Sequence, residues 1–123
     1  MKIVLIWASN NPEKYWNKIL KNLISKWHTV IPVNPKEKLI EWIKTHINLW
    51  MIKEDYDIIN FVVKPEISLQ ILQKYKDNIL DKKIWCQPWA SDENVKEYLE
   101  ESWFKWYITD SCIMVENINK KAD

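Results

Sequence analysis

The chain has 123 residues and contains no glycine, whereas it contains nine tryptophans. An average composition would supply about nine glycines in a chain of this length. Glycine is the residue that tight turns and helix ends use where the backbone needs a positive φ, because any other side chain crowds this conformation. The residues that stand at the turns of this chain are therefore informative about its fold.

The composition is that of one globular domain, which we expect to span residues 1–123 with a frayed polar tail from about 120. Apolar residues make up 47% and charged residues 28%, with a net charge of +1. These values exclude a disordered chain and a protein that binds nucleic acid through a global positive field. Two cysteines are too few for a disulfide scaffold, and they suit a cytoplasmic location. The apolar run 3–8 is too short to span a bilayer, and no secretory pattern precedes it.

Predicted strands and helices alternate along the chain. Apolar runs predict strands at 2–7, 28–33, 57–63, 83–87 and 106–109. Helical spacing predicts three helices, whose apolar faces are Ile19, Leu20, Leu23 and Ile24; then Ile67, Ile71, Leu72 and Tyr75; then Val95, Tyr98 and Leu99 after an N-cap at Ser91. Residues 36–56 are less regular, and Ile40, Ile43 and Ile47 fit either a helix or a loop with a short strand.

This alternation predicts an α/β fold, a Rossmann-like three-layer domain with a mainly parallel five-stranded sheet. We expect the strand order 3-2-1-4-5, with helices on both faces of the sheet.

Four tryptophans fall at predicted turns where glycine is the usual residue. Trp27 and Trp103 each follow the end of a predicted helix, at the C′ position that commonly adopts a positive φ. Trp7 and Trp89 lie where a strand turns towards a helix, and small residues there let backbone N–H groups approach a phosphate. A bulky residue at positive φ costs about 1–3 kcal/mol, so several would rival the stability of a small domain.

Two interpretations account for these tryptophans. Either they are ordinary core or surface aromatics and the turns have other conformations, or glycine has been written or engineered as tryptophan, for example through a codon-reading or transcription slip. We favour the second interpretation. The intact mass or the absorbance at 280 nm separates the two, because each exchange adds or removes an indole.

Five short stretches in order, covering nearly the whole chain, carry a family resemblance. They are IWAS (6–9) with NPEK (11–14), VIPVNPK (30–36), DIINFVV (57–63) with Pro65-Glu66, IWCQPWA (84–90) and CIMVE (112–116). Together they resemble the small single-domain CoA-binding proteins, which are similar to the CoA-binding domain of the succinyl-CoA synthetase α subunit. Trp85 matches a tryptophan common in that family, whereas Trp7 and Trp89 stand where the family has glycine.

The resemblance implies that the chain binds coenzyme A or an acyl-CoA at the carboxyl rim of its sheet, without covalent chemistry of its own. Synthetases of the family use further domains, so ligase activity would need partners. The partners that we consider are a second copy of the chain and an enzyme that uses acyl-CoA, and we expect neither nucleic acid nor membrane.

The candidate binding residues follow the predicted strands. The turn Trp7-Ala8-Ser9 precedes a helix and is expected to bind the pyrophosphate through Ser9 Oγ and backbone amides. Lys36 could pair with the 3′-phosphate of CoA or equally with the 2′-phosphate of NADP. The full set is Trp7, Ala8, Ser9, Lys14, Asn34, Pro35, Lys36, Val63, Lys64, Pro65, Gln87, Pro88 and Trp89.

Each candidate also has a plainer explanation. Ser9 would serve as an N-cap, Lys36 as a solvated lysine among 18 basic residues, and Gln87 and Pro88 as the end of a strand.

No catalytic group or metal site is predicted. Cys86 lies in a predicted strand, and Cys112, a possible redox partner for the CoA thiol, is expected to be a small packed residue. His28 and His46 have no readable relation to either thiol, and His28 is expected to be structural. No metal-ligand spacing and no P-loop pattern occur.

Two other functions stay open on the residues alone. An NADP-type dinucleotide-binding protein would share the fold, although 123 residues leave no room for a substrate domain. A ligand-free interaction module of the same fold would make the rim residues incidental.

Overall fold

Parallel strand pairing organises the chain in the computed structural model, which describes residues 1–6, 13–34, 39–40 and 43–115. Five strands form one sheet in the order β2-β1-β5-β6-β7, and every pairing in it is parallel. In chain order the elements are β1 (Lys2–Ile6), α1 (Glu13–Ser25), β2 (Thr29–Val33), β3 (Leu39–Ile40), β4 (Ile43–Lys44), β5 (Ile58–Phe61), α2 (Pro65–Ile79), β6 (Lys83–Cys86), α3 (Glu93–Glu101) and β7 (Tyr107–Ile108).

The central strands are buried on both faces, which explains why they read as continuous apolar runs. In β1, Ile3 and Leu5 pack with Leu20 and Leu23 of helix α1. The intervening Val4 and Ile6 belong to the other cluster, which includes residues of α2 and α3. Helix α1 therefore covers one face of the sheet, and α2 and α3 cover the other. This arrangement confirms the predicted α/β, Rossmann-like fold with a mainly parallel five-stranded sheet.

The predicted strand order is wrong. Counting only the five strands of the sheet, the observed order is 2-1-3-4-5 rather than 3-2-1-4-5. Strand β5 pairs with β1, from Ile3–Ile58 to Ile6–Phe61, instead of lying outside β2. Strand β2 contains Pro32, which has no N–H to donate to a second neighbour, and this favours an edge position.

The segment after β2 resolves the ambiguity of the middle region in favour of extended backbone. Strands β3 and β4 form a two-stranded antiparallel pair, and the chain then returns alongside β2. His46 makes a parallel bridge with Val33, donating its N–H to the Pro32 carbonyl at 2.9 Å and accepting from Asn34 N at 2.9 Å. These bonds cover the outer edge of β2 at its carboxyl end.

Smaller expectations also need correction. The N-cap of α3 is Asp92, whose carboxylate accepts from Val95 N at 2.9 Å, and not Ser91. An ionised side chain at this position also interacts favourably with the helix dipole. Ile24 is exposed rather than part of the buried face of α1, because the helix turns it away from the sheet.

The backbone conformations of the tryptophans at the predicted turns differ from one another. Trp27 and Trp103 have φ values of 68° and 70°, so both lie in the left-handed region as predicted. Trp89 lies in a 3-10 turn, Pro88–Ala90, and is not among the described residues of positive φ, so no left-handed conformation requires glycine there. Trp7 lies outside the described residues.

Candidate functional site at the carboxyl edge of the sheet

The strand register brings the residues that follow β2, β5 and β6 into one row. Ile6 of β1 pairs with Val33 and with Phe61, and Phe61 pairs with Cys86. Asn34, Val62 and Gln87 come next along their strands and lie at the same edge of the sheet. Backbone bonds continue across this row, because Val62 N donates to Ile6 O at 2.9 Å and Gln87 N donates to Phe61 O at 3.0 Å.

The observed strand order fixes where this edge opens. The chain moves from β1 outwards to β2, then returns to place β5 on the opposite side of β1. The topological switch point therefore lies between β1 and β5, because the helices that follow these strands, α1 and α2, lie on opposite faces of the sheet. Open α/β sheets have their ligand crevice at such a point. In the predicted order, β1 would lie next to β6, and the switch point would lie between these two strands instead. Residues 62–65 thus lie directly at the crevice, two strands closer than sequence reasoning put them.

Helix α2 begins at this crevice with its N-terminus towards the edge. Lys64 is the N-cap residue, its side chain is exposed and makes no capping hydrogen bond, and Pro65 occupies the first turn. A helix N-terminus carries partial positive charge, and an exposed ammonium adds to it. The charge at this position therefore favours an anionic ligand group.

A buried amide network supports the neighbouring part of the edge. Asn60 Nδ2 donates to Trp85 O at 3.0 Å and to Gln87 Oε1 at 3.2 Å. Gln87 Oε1 also accepts from Ile113 N at 3.0 Å, and Gln87 Nε2 donates to Cys112 Sγ at 3.0 Å. Both amide side chains are fully buried. Gln87 therefore holds the segment around Cys112 against the end of β6, and its amide is engaged by the protein itself.

Trp85 makes a second connection to the same segment. Its ring is buried in β6, and Nε1 donates to Ser111 O at 2.8 Å. The backbone of 111–113 is thus held at both ends, by an indole and by an amide.

The two thiols differ in accessibility. Cys86 is fully buried at the end of β6, and burial raises the pKa of its thiol to about 12, so it stays protonated and unreactive. Cys112 is half-buried beside Gln87. Any thiol chemistry at this edge would therefore fall to Cys112.

The predicted site residues divide into two groups, those outside the described residues and those at the carboxyl edge. Trp7, Ala8, Ser9, Pro35 and Lys36 lie outside the described residues, and Lys14 lies in α1 with a side chain that is also outside them. Seven residues lie at the carboxyl edge or directly beyond it: Asn34, Val63, Lys64, Pro65, Gln87, Pro88 and Trp89. Within this second group, Asn34, Val63 and Gln87 are buried beneath the edge, whereas Lys64, Pro88 and Trp89 are exposed on it.

Sequence reasoning missed Asn60 and the role of 111–113. A polar residue in the middle of the apolar run DIINFVV was the available signal, because a buried amide needs partners. The partner segment could not be read from the sequence, since it lies about 50 residues away from Asn60 and is joined only through Gln87.

The opposite, amino edge of the sheet is rich in paired charges. Lys2 Nζ lies 3.2 Å from Glu54, and Lys82 Nζ lies 2.6 Å from Asp55. The hydrogen bond from Lys82 lowers the pKa of Asp55. A depression of about 370 Å³ opens here, lined by Met1, Lys2, Thr29, Asp55, Tyr56 and Asp57. The carboxylates of Asp55 and Asp57 offset the cationic groups of Met1 and Lys2, so the lining of this depression offers phosphate groups no excess positive charge.

His28 lies buried at the same amino edge, as a structural residue. The N-terminal ammonium of Met1 is 3.3 Å from its Nδ1. Burial, then the N-terminal charge, then Lys26 lower the pKa of His28, so the neutral ring is favoured at neutral pH.

Within the described ranges, no three His, Cys, Asp or Glu side chains come close enough together to hold a metal ion. Of the helices in those ranges, none has the length and apolar character needed to cross a membrane.

A parallel sheet of this order with a crevice at the β1–β5 switch point defines an α/β domain of the nucleotide-binding type. Comparison with known proteins gives the family. The family model described as CoA binding domain matches residues 1–118, so the chain belongs to this family of CoA-binding domains.

Solved structures share the fold. A conserved hypothetical protein from Pyrococcus furiosus is 40% identical, with a TM-score of 0.82 over 94% of this chain and 98% of its own. A hypothetical protein from Pyrococcus horikoshii is 24% identical, with a TM-score of 0.76 over 91% of this chain and 78% of its own. A protein from Thermus thermophilus is 21% identical, with a TM-score of 0.77 over 93% and 85%. No curated protein matches the chain.

Proposed function

We propose that this chain binds coenzyme A or an acyl-CoA non-covalently at the carboxyl edge of its sheet. The single observation that carries the proposal is the match of residues 1–118 to a CoA-binding domain family. The position of the crevice supports it, because open α/β sheets bind ligands at the switch point beyond the carboxyl ends of their strands.

The charge distribution also favours this edge for a ligand with several phosphates. Lys64 and the N-terminus of α2 offer positive potential there, whereas Lys2 and Lys82 at the amino edge are paired with Glu54 and Asp55. In the proposed site, the turn 7–9 with Lys14 and Lys36 binds the phosphates. The apolar strand end at Val63, with Pro65, and the stretch 87–89 receive the pantetheine arm.

Calorimetry tests the ligand class. Protein of verified mass is titrated with CoA, NADP and FMN under identical conditions. We expect a saturable heat with CoA and none with NADP or FMN. Saturable heat with NADP or FMN and none with CoA would replace the proposal by a different nucleotide, and no heat with any of the three would favour an interaction module.

A matched pair of charge deletions tests the location. Lys64→Met and Lys76→Met remove the same charge from opposite ends of helix α2. We expect CoA affinity to fall about fivefold for Lys64→Met, the size of one exposed charge contact, and to stay constant for Lys76→Met. Equal losses in the two variants would show a general charge effect and argue against binding at this end of the helix.

Thiol protection gives an independent measure of the same location. Cys112 is half-buried at the edge and Cys86 is fully buried, so an alkylating reagent should label Cys112 alone. Saturating CoA is expected to slow the labelling of Cys112, because the pantetheine arm would cover the segment that Gln87 holds. An unchanged rate with CoA bound would place the ligand elsewhere.

A further inference from the structure

Two tryptophans have a left-handed backbone conformation, which is sterically unfavourable for a residue with a bulky side chain. Among the residues that the structure describes, the non-glycine residues of positive φ are Trp27 and Trp103, at 68° and 70°. Asparagine and aspartate tolerate this conformation better than other residues, and both are common in this chain. Neither occupies these two positions.

The turn at Trp27 has the complete hydrogen-bond pattern of a glycine-terminated helix. His28 N donates to Leu23 O at 3.1 Å, and Trp27 N donates to Ile24 O at 3.0 Å. These are the two bonds of the Schellman motif, with Trp27 at the left-handed C′ position. Trp103 holds the equivalent place after helix α3, directly beyond the C-cap Ser102.

Burial does not compensate for the strain at either position. The Trp27 side chain is 94% exposed and that of Trp103 is 82% exposed, so neither indole gains from the hydrophobic effect. Trp85 differs in each respect, because its ring is 2% exposed, hydrogen-bonded to Ser111 O, and 5.9 Å from the ring of Trp106.

Helix α2 shows that tryptophan is associated with the left-handed conformation and not with helix ends in general. Helix α2 ends at Ile79 with Leu80 as its C-cap, and neither of the next two residues is among the described residues of positive φ. The residues that follow, Asp81 and Lys82, are ordinary polar residues. Tryptophan thus follows the two helices that turn through the left-handed region and is absent after the one that does not.

We propose that glycine is the residue placed at positions 27 and 103 when this protein is synthesised, and that tryptophan is placed at 85. The chain then has glycine where a positive φ requires it. One codon cannot specify both residues, so the codons at 27 and 103 differ from the codon at 85.

Peptide mass spectrometry of the protein purified from its own cells tests this directly. Trypsin cleavage after lysine separates the positions into the peptides 27–36, 97–105 and 84–96. We expect glycine masses at 27 and 103, and a tryptophan mass at 85 in the fragment ions of the third peptide. Tryptophan at 27 or 103, or glycine at 85, overturns the proposal. So does the same codon at 27, 103 and 85 in the coding sequence.

Stability measurements give a second readout on a recombinant chain that carries tryptophan at each position. W27G and W103G should each raise the folding equilibrium constant about tenfold, because they relieve the left-handed penalty. The control is W50G, since Trp50 is also exposed, at 69%, but is not among the described residues of positive φ and its ring makes an edge contact with Tyr75 at 5.9 Å. W50G should lower stability. Losses for W27G and W103G equal to that for W50G would mean that tryptophan is favourable at these turns and would refute the proposal.

Discussion

The two edges of the sheet are stabilised by different chemistry. At the carboxyl edge, neutral amides of Asn60 and Gln87 are fully buried and bonded to each other and to the segment around Cys112. At the amino edge, Lys2 and Lys82 pair with carboxylates that are largely exposed to water.

The two edges therefore differ both in how much their polar contacts stabilise the fold and in how much charge they carry. Buried neutral hydrogen bonds are costly to break, because the group left behind is out of contact with water. Exposed ion pairs contribute little, since water and salt screen them. The carboxyl edge therefore keeps a fixed shape with few charges of its own, as a binding site needs, and the amino edge can tolerate change.

The largest effect is expected from Gln87→Met, which keeps the approximate volume and removes the amide. The variant leaves Ile113 N–H and one N–H of the Asn60 amide without an acceptor, so the unfolding free energy should fall by about 2–4 kcal/mol. Urea denaturation measures the change, with Lys2→Met at the amino edge as the comparison. Equal losses for the two variants would remove the distinction between the edges.

Trp85→Phe should give the next largest effect. The ring stays buried, but the bond from Nε1 to Ser111 O is lost, for about 1–2 kcal/mol. Trp106→Phe serves as the control, because the described side-chain contacts of Trp106 are ring contacts with Trp85 and with Lys83 Nζ at 4.7 Å. A greater loss for Trp106→Phe than for Trp85→Phe would contradict this role of the hydrogen bond.

At the amino edge, His28 should make stability depend on pH. Its pKa in the folded protein is below the ordinary 6.5, first through burial and then through the N-terminal ammonium. The unfolded chain therefore takes up the proton first, so the stabilising contribution is complete above pH 6.5 and is lost as the pH falls from there through the lowered pKa. Unfolding curves between pH 7 and pH 5, over the ordinary range of histidine titration, should show this decline.

Acetylation of the N-terminus is the control for that measurement. It removes the ammonium next to Nδ1 and leaves burial unchanged, so the decline should become shallower without disappearing. A His28→Phe variant that kept the full decline would assign it to another group.

The smallest effect is expected from Asp55→Asn. The hydrogen bond from Lys82 lowers the pKa of Asp55 below its ordinary 3.8, so its contribution is present above that pH and is lost as the pH falls through the lowered value. Because the carboxylate is exposed, the variant should differ from the parent only slightly at pH 7 and not at all in high salt. A stability loss at pH 7 larger than that of Trp85→Phe would reverse the proposed ranking of the edges.

Strand and helix positions could be read from the sequence because they depend on local patterns. Continuous apolar runs mark β1 and β5, since both of their faces are buried, and helical spacing marks α2. These patterns do not give the strand order. Pro32 is a local signal that bears on it, because a proline favours an edge position for β2, whereas the predicted order places β2 between two other strands.

The candidate site was predictable in outline only. The carboxyl ends of parallel strands meet at one edge in any sheet of this type, so Asn34, Lys64 and Gln87 could be grouped before the fold was known. Gln87 could not be recognised as an internal support, because its partners Asn60 and Cys112 are distant in the chain.

The sequence by itself determined the alternation of strands and helices, the family pattern and the two helix ends where glycine is expected. Each of these follows from the backbone and side-chain preferences of neighbouring residues. Only the tertiary structure decided which strands are neighbours, where the crevice opens and which polar groups are buried together. These depend on contacts between residues far apart in the chain, and the free energy of such contacts is set by packing and desolvation in the folded state.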